Sequence, residues 1–201
     1  MSDKDLYKEL GSLTRDKSKW RENIPYLISL LDHGSSKIQA KALWFLGEAG
    51  LMHPSDIGAA VPKIIPFCES DTALLRERSV NALGRIGRAD LKLIENYWPG
   101  LFRLASDEDP KVRLSFIWAS ENIATNTPDI YRDHMPVFEK LLLDPAVKVR
   151  MEAPEIFRVL GKRRPEFVRP YLDKLQKLSE TDPDPVVRIH CSGAVRATLS
   201  K

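Results

Sequence analysis

The sequence predicts an all-α fold, a right-handed α-solenoid of about five two-helix repeats with an N-terminal capping helix. Two observations carry this prediction. Several residue columns recur every 37 positions, and the apolar residues follow helical spacing with no strand alternation of useful length. A two-helix unit cannot bury its apolar stripes alone, so stacking of neighbouring repeats must supply the core.

The repeat period is set by four prolines at intervals of 37 residues: Pro25, Pro62, Pro99 and Pro136. Fourteen residues after each proline comes a second column: Gln39, Arg76, Arg113 and Arg150. In the fifth repeat the matching Arg188 comes one residue late, after an insertion within residues 180–185. These columns divide the chain into a capping helix over 1–22 and a repeat domain over 23–201, with repeats 23–59, 60–96, 97–133, 134–170 and 171–201.

Each repeat is predicted to begin with a helix that holds the proline in its first turn, where the missing N–H group costs nothing. A turn follows, and residues suited to an N-cap stand before the second helix: Ser35, Thr72, Asp109 and Asp184. Projection of the second helices at about 100° per residue gives each one apolar stripe. In the first repeat this stripe is Ile38, Ala42, Phe45, Leu46 and Ala49. These stripes are predicted to face the core.

The order of proline, turn aspartate and Val-Arg pair resembles the HEAT repeat over about residues 23–201. Repeat four shows it with Pro136, Asp144 and the pair Val149-Arg150, whereas His33 and Ser70 replace the aspartate in the first two repeats. The resemblance implies that the second helices line a concave surface. It also implies that the arginines pair with the turn aspartates and tie adjacent repeats together, the aspartates being Asp107, Asp144 and Asp182.

Composition excludes several classes of protein. The 31 Lys and Arg against 28 Asp and Glu give a formal net charge of +3, too balanced for a histone-like polycation. Cys68, Cys191 and the four histidines lack the spacing of a metal site. The charged first residues do not resemble a signal peptide, and no apolar run approaches the ~20 residues of a membrane span. We expect a cytoplasmic protein with no metal, cofactor or membrane partner.

Two tryptophans stand on the stripe opposite the predicted core. Trp44 and Trp118 are 74 residues apart, which is two full repeats, and they share a column with Asn81 and Glu155. A large aromatic side chain on a free face is typical of a recognition anchor. The alternative is that each ring lies flat over a neighbouring helix and completes the packing.

Charged residues of both signs flank this column and complete the predicted ligand-binding groove: Lys41, Arg78, Arg85 and Glu121. A candidate anion patch lies at the end of the second helix of repeat four: Arg158, Lys162, Arg163 and Arg164. The alternative for this patch is a solvated loop at a helix C-terminus, where cations interact favourably with the helix dipole.

We interpret the protein as a non-catalytic scaffold that binds a protein or peptide along the concave surface. The sequence carries no phosphate loop, dinucleotide motif or nucleophile motif. A second hypothesis is DNA binding or base repair, by resemblance to the HEAT-like DNA glycosylases that act on alkylated bases. Trp44 with Glu48, or Trp118 with Glu121, would then supply the aromatic and acidic pair. HEAT repeats of the lyase type, which attach bilin chromophores, are a third hypothesis that no residue here selects.

Overall fold

The computed structural model describes residues 2–200, and the chain divides into two compact units between Leu101 and Phe102. Residues 2–200 form α-helices, short 3-10 helices and turns, without a strand, so the all-α repeat fold is confirmed. No helix within these residues is long and apolar enough to cross a bilayer. Met1 begins the predicted capping helix and Lys201 ends the predicted repeat domain, and both lie outside the described residues.

The first unit contains six α-helices among its described residues: α1 (Asp3–Leu13), α2 (Ile24–Ser29), α3 (Ser36–Met52), α4 (Val61–Ile64), α5 (Ala73–Ala89) and α6 (Trp98–Leu101). The second unit contains six more: α7 (Pro110–Asn126), α8 (Met135–Leu141), α9 (Val147–Arg163), α10 (Pro165–Val168), α11 (Leu172–Thr181) and α12 (Pro185–Leu199). The long helices α3, α5, α7, α9 and α12 are the second helices of the predicted repeats. In the first unit α3 packs on α5, and in the second unit α9 packs on both α7 and α12.

The N-terminal helix is shorter than the predicted 1–22, because α1 ends at Leu13. The Asp16 side chain accepts a hydrogen bond from the Ser18 N–H group at 3.2 Å and starts a 3-10 turn over Lys17–Lys19. Such a local side-chain bond competes with continuation of a helix. The buried Trp20 indole then donates to the Leu13 carbonyl at 3.1 Å, which satisfies an acceptor near the end of α1.

The first helices of the early repeats are also short and continue as 3-10 helix. In the first repeat α2 is followed by a 3-10 helix over Leu30–Asp32, and in the second α4 is followed by one over Ile65–Glu69. Pro66 stands at the start of the second of these and has no N–H group, so the α-helical hydrogen bond cannot form there. The column prolines themselves lie in the first turns of α2, α4 and α8, as predicted.

The four predicted N-cap residues all precede their helices, but only the two aspartates cap with their side chains. The Asp109 carboxylate accepts from the Lys111 N–H group, and the Asp184 carboxylate accepts from the Val186 N–H group, each at 2.8 Å. Ser35 and Thr72 make no side-chain capping bond. A carboxylate gains additional stabilisation from the positive end of the helix dipole, whereas a neutral hydroxyl does not.

The predicted apolar stripes form the core of both units. In α3 the stripe is at most 1% exposed, and it comprises Ile38, Ala42, Phe45, Leu46 and Ala49. In α7 the corresponding residues are completely buried: Val112, Phe116, Ala119, Ser120 and Ile123. Because these stripes are covered, the opposite stripes of the long helices are the ones left to contact a ligand.

Arginines of the second column tie repeats together in the second unit, as the resemblance implied. Arg113 donates through Nε and Nη2 to the two carboxylate oxygens of Asp144, both at 2.7 Å, and through Nη1 to the Asp107 carbonyl at 2.7 Å. Arg150 repeats the arrangement, donating to Asp182 at 3.2 Å and to the Asp144 carbonyl at 2.9 Å. The Arg113 and Asp144 side chains are only 12% and 6% exposed, so each neutralises a charge that has lost most of its water.

Replacing Arg113 with alanine should lower the free energy of unfolding by about 3 kcal/mol, because it leaves the Asp144 carboxylate buried without its partner. Urea denaturation measures this change. The matched control is Arg164→Ala, which breaks an exposed arginine–aspartate pair of the same unit, with Arg164 Nε 2.5 Å from Asp129 Oδ1. The control should change stability little. Equal losses for the two variants would contradict the assignment of Arg113 to the joint between repeats.

Candidate functional site

The candidate site of the second unit is built around Trp118 on α7. The indole is 39% exposed, and its N–H group acts on the Glu152 carboxyl of α9, where its effect is to lower the pKa of that group. The exposed part of the ring remains open to contact. The ring is thus partly covered and partly exposed, and its role as a recognition anchor stays a prediction.

Three glutamates act on one another in this part of the unit: Glu121 on α7, and Glu152 and Glu155 on α9. The Glu121 Oε1 atom is buried and has no hydrogen-bond partner. Burial, with repulsion from Glu152 and then Glu155, raises the pKa of Glu121 to about 9 against attraction by Arg158. Burial also raises the pKa of Glu152, although the nearby Trp118 N–H group opposes the shift. At neutral pH Glu121 is therefore a neutral carboxylic acid.

Two basic side chains lie close to the Glu155 carboxylate. Arg158 Nη2 is 2.5 Å from Glu155 Oε2, and His190 Nδ1 on α12 is 3.6 Å from Glu155 Oε1. His190 Nδ1 is also 2.6 Å from the Met151 carbonyl oxygen, which can only accept, so this ring nitrogen carries a proton. We call Trp118, Glu121, Glu152, Glu155, Arg158 and His190 the acidic–aromatic cluster. Its glutamates outnumber the one permanent cation, Arg158.

The candidate site of the first unit is a cleft of about 1110 Å³ beside Trp44. Trp44 on α3 is half-buried, and the Lys41 ammonium lies 4.7 Å from its ring centroid and 5.9 Å from that of Tyr7 on α1. Arg78 on α5 also lines the cleft. Burial, with repulsion from Arg78, lowers the pKa of Lys41. The cleft thus combines two aromatic rings with cations, the opposite sign to the second-unit site.

Other predicted site residues occupy less accessible places. Asn81 is buried at 8% exposure, which its position in the tryptophan column did not predict. Arg85 is half-buried, with Nε 2.7 Å from Glu48 Oε1, so its charge is neutralised within the first unit. In the predicted anion patch Arg158 and Arg164 are each paired with a carboxylate, while Lys162 and Arg163 are exposed at the end of α9.

Sequence reasoning missed two residues of these sites: Tyr7 and His190. A signal for His190 was present, because Lys41, Arg78, Ser115 and Glu152 form a column in the sequence, and His190 continues it once the insertion is counted. Tyr7 lies outside the repeats, so the period could not place it. Cys191 is buried in the core as predicted, and burial raises its pKa to about 12, so its thiol is not a nucleophile at neutral pH. Among residues 2–200 no group of three His, Cys, Asp or Glu side chains could hold a metal ion.

Comparison with known proteins establishes the fold through solved structures. No family model and no curated protein matches the sequence. A designed armadillo repeat protein in complex with the peptide (KR)4 is similar, with a TM-score of 0.70, 20% identity, and coverage of 98% of this chain and 94% of that chain. An engineered protein is similar with a TM-score of 0.69, 20% identity, and coverage of 89% of this chain and 80% of that chain.

A natural protein is also among the structural neighbours. The complex of CpcE and CpcF of phycocyanin lyase from Nostoc sp. PCC7120 is similar, with a TM-score of 0.67 and 19% identity, over 89% of this chain and 65% of that chain. At this level of identity the likenesses establish the fold. The chain has an armadillo- and HEAT-like fold of helical repeats, of the α-solenoid class.

Replacing Glu121 with glutamine should stabilise the protein at slightly alkaline pH. The ordinary pKa of 4.5 rises to about 9 in the folded chain, so the folded state binds more protons between these values and stability falls as pH rises. Glutamine removes the cost of ionising this group, and we expect a gain of about 1–3 kcal/mol at about pH 8 and little change at about pH 4. Urea denaturation across this pH range measures it.

The control is Glu166→Gln, which changes an exposed glutamate of the same unit. It should leave the dependence of stability on pH almost as in the unaltered protein. A Glu121→Gln variant with an unchanged pH dependence would show that Glu121 ionises at its ordinary pKa.

Proposed function

We propose that the protein is a non-catalytic scaffold that binds an extended segment of a partner protein along its long second helices, and that the acidic–aromatic cluster receives a lysine or arginine side chain of that segment. The observation that supports this most is the combination of a partly exposed Trp118 indole with a buried Glu121 carboxyl oxygen that has no hydrogen-bond partner. An orphaned buried acceptor is costly, and a bound donor removes that cost.

The charge of the cluster favours a cationic occupant. A guanidinium or ammonium group near the Trp118 face would interact with the ring quadrupole, while its N–H groups would reach the glutamates below. Arg158 and His190 both lie on Glu155, which leaves Glu121 and Glu152 without a resident cation at hydrogen-bond distance among the residues the structure describes. An anionic ligand would instead compete with the Glu152 carboxyl, which has no resident cation at hydrogen-bond distance among the described residues.

The structural neighbours support binding of this kind. One of them, a designed armadillo repeat protein, is in complex with a peptide of alternating lysine and arginine. A stack of helical repeats offers an extended surface on which successive side chains of a peptide reach successive repeats. The absence of a reactive thiol at Cys191 supports a scaffold over a cysteine-dependent transferase, although a phycocyanin lyase shares the fold.

The hypothesis of DNA binding or base repair receives less support from these charges. It assigned Trp118 with Glu121, or Trp44 with Glu48, as the aromatic and acidic pair. Trp118 lies beside Glu152, an acidic residue that does not favour a phosphate backbone, and Glu48 is engaged by Arg85 at 2.7 Å. A steep loss of duplex DNA affinity between low and moderate salt would favour this second function over the scaffold.

Replacing Trp118 with alanine should weaken binding of a (KR)4 peptide by about tenfold or more, because the aromatic platform for the cation is lost. Isothermal titration calorimetry measures the affinity, and thermal denaturation checks that the variant remains folded. The control is Leu143→Ala, which removes a 59% exposed apolar side chain elsewhere in the second unit. Equal affinities of the two variants would contradict the proposed role of Trp118.

Binding of the same peptide at about pH 7.5 should release up to about one proton, because a bound cation lowers the raised pKa of Glu121 below the pH of the solution. Calorimetry in two buffers with different ionisation enthalpies, HEPES and Tris, measures the released protons. The Glu121→Gln variant should bind without this release. Proton release of the same size in that variant would place the titrating group elsewhere.

A further inference from the structure

The charged residues that line the cleft of the first unit are mostly cations. Lys4, Lys37, Lys41 and Arg78 contribute four positive charges to its lining, against one negative charge from Asp3. The carboxylate of Asp3 lies on the side of His33, with Oδ1 3.8 Å from Nε2 of that ring. A cleft whose lining carries one sign of charge raises the local concentration of ligands of the other sign.

Lys41 is the central cation of this cleft. Its ammonium group is near both the Trp44 and the Tyr7 ring, and within the described part of the chain it forms no ion pair with a carboxylate. The nearest charge that acts on it is the Arg78 guanidinium, which repels it. Two cations held close together, one of them partly desolvated, are destabilised until an anion lies between them.

The remaining groups of the cleft offer further donors. The first turn of α3 contributes Ser35, Ser36 and Lys37 to the lining. Ser35 makes no side-chain capping bond, so its hydroxyl does not occupy the amide groups of this turn. Arg78 has a carboxylate neighbour in Glu77, but their closest atoms are 3.7 Å apart, beyond hydrogen-bond distance. The planar guanidinium therefore keeps donors for a two-oxygen acceptor.

From this arrangement we infer that the first-unit cleft binds an anionic side chain, a carboxylate or a phosphate monoester, through Lys41 and Arg78, with the Trp44 and Tyr7 rings against its apolar stem. This inference rests on the proposed function, because the anionic side chain belongs to the bound segment. The partner is then a segment with an acidic residue as well as a basic one. The two charges are recognised by different units and are tested separately.

The experiment uses three short peptides that differ only at one central residue, which is glutamate, phosphoserine or glutamine. Nuclear magnetic resonance follows the indole N–H signals of the full chain, labelled with nitrogen-15, during titration. The glutamate or the phosphoserine peptide, or both, should shift the Trp44 signal and bind about 10- to 100-fold more tightly than the glutamine peptide. Inorganic phosphate is titrated as well, to show whether a free anion suffices.

The test variant is Lys41→Gln with Arg78→Gln, which should reduce binding of the acidic peptides to the level of the glutamine peptide. The matched control is Lys63→Gln with Lys92→Gln, which removes two exposed cations of the same unit and changes the net charge equally. The control should retain the preference for an acidic residue.

Two outcomes would overturn the inference. One is equal binding of the three peptides, and the other is equal loss in the test and control variants, which would indicate a general effect of net charge. Binding of (KR)4 at Trp118 is measured independently, so a failure of the cleft leaves the proposed function standing. If (KR)4 does not bind while the acidic peptides still shift the Trp44 signal, the proposed binding of a basic side chain at the acidic–aromatic cluster is wrong.

Discussion

The largely buried pairs between an arginine of one repeat and an aspartate of the next set the register of the helices in the second unit. Arg113 binds the carbonyl of its own turn at Asp107 and both carboxylate oxygens of Asp144. The fork of a guanidinium is planar and rigid, so such a pair fixes orientation as well as distance. The helices α7, α9 and α12 are thereby held in one alignment. That alignment brings Trp118, Glu152 and His190, each from a different helix, into one cluster.

Much of this architecture is predictable because residues at equivalent positions of the repeat have similar surroundings. The period of 37 residues fixes which face of each long helix packs, and the buried stripes of α3 and α7 follow it. The period does not determine how exposed to solvent each residue of a column is. Trp118 is 39% exposed and Asn81 only 8%, since a short amide does not extend beyond its neighbours as an indole does.

The features that the sequence did not predict arise from contacts outside the repeating pattern. Asp16 ends the first helix early through a bond to the adjacent Ser18, and Tyr7 reaches Lys41 from a helix that precedes the repeats. The raised pKa of Glu121 depends on its burial and then on Glu152 and Glu155, which lie in the next repeat. Periodicity identifies equivalent positions, whereas the charge state of a group depends on neighbours that differ from one repeat to the next.

The two candidate sites occupy equivalent positions of the repeat and have opposite charges. Trp44 and Trp118 share a column, and the residue of the following repeat in the Lys41 column is Arg78 in the first case and Glu152 in the second. The indole is therefore common to both sites, and the charge beside it differs. Because the joint between repeats uses the separate column of Arg113 and Arg150, the Lys41 column is free to vary without loss of that joint. Under the proposed function, one position in each repeat would set the selectivity for an acidic or a basic side chain.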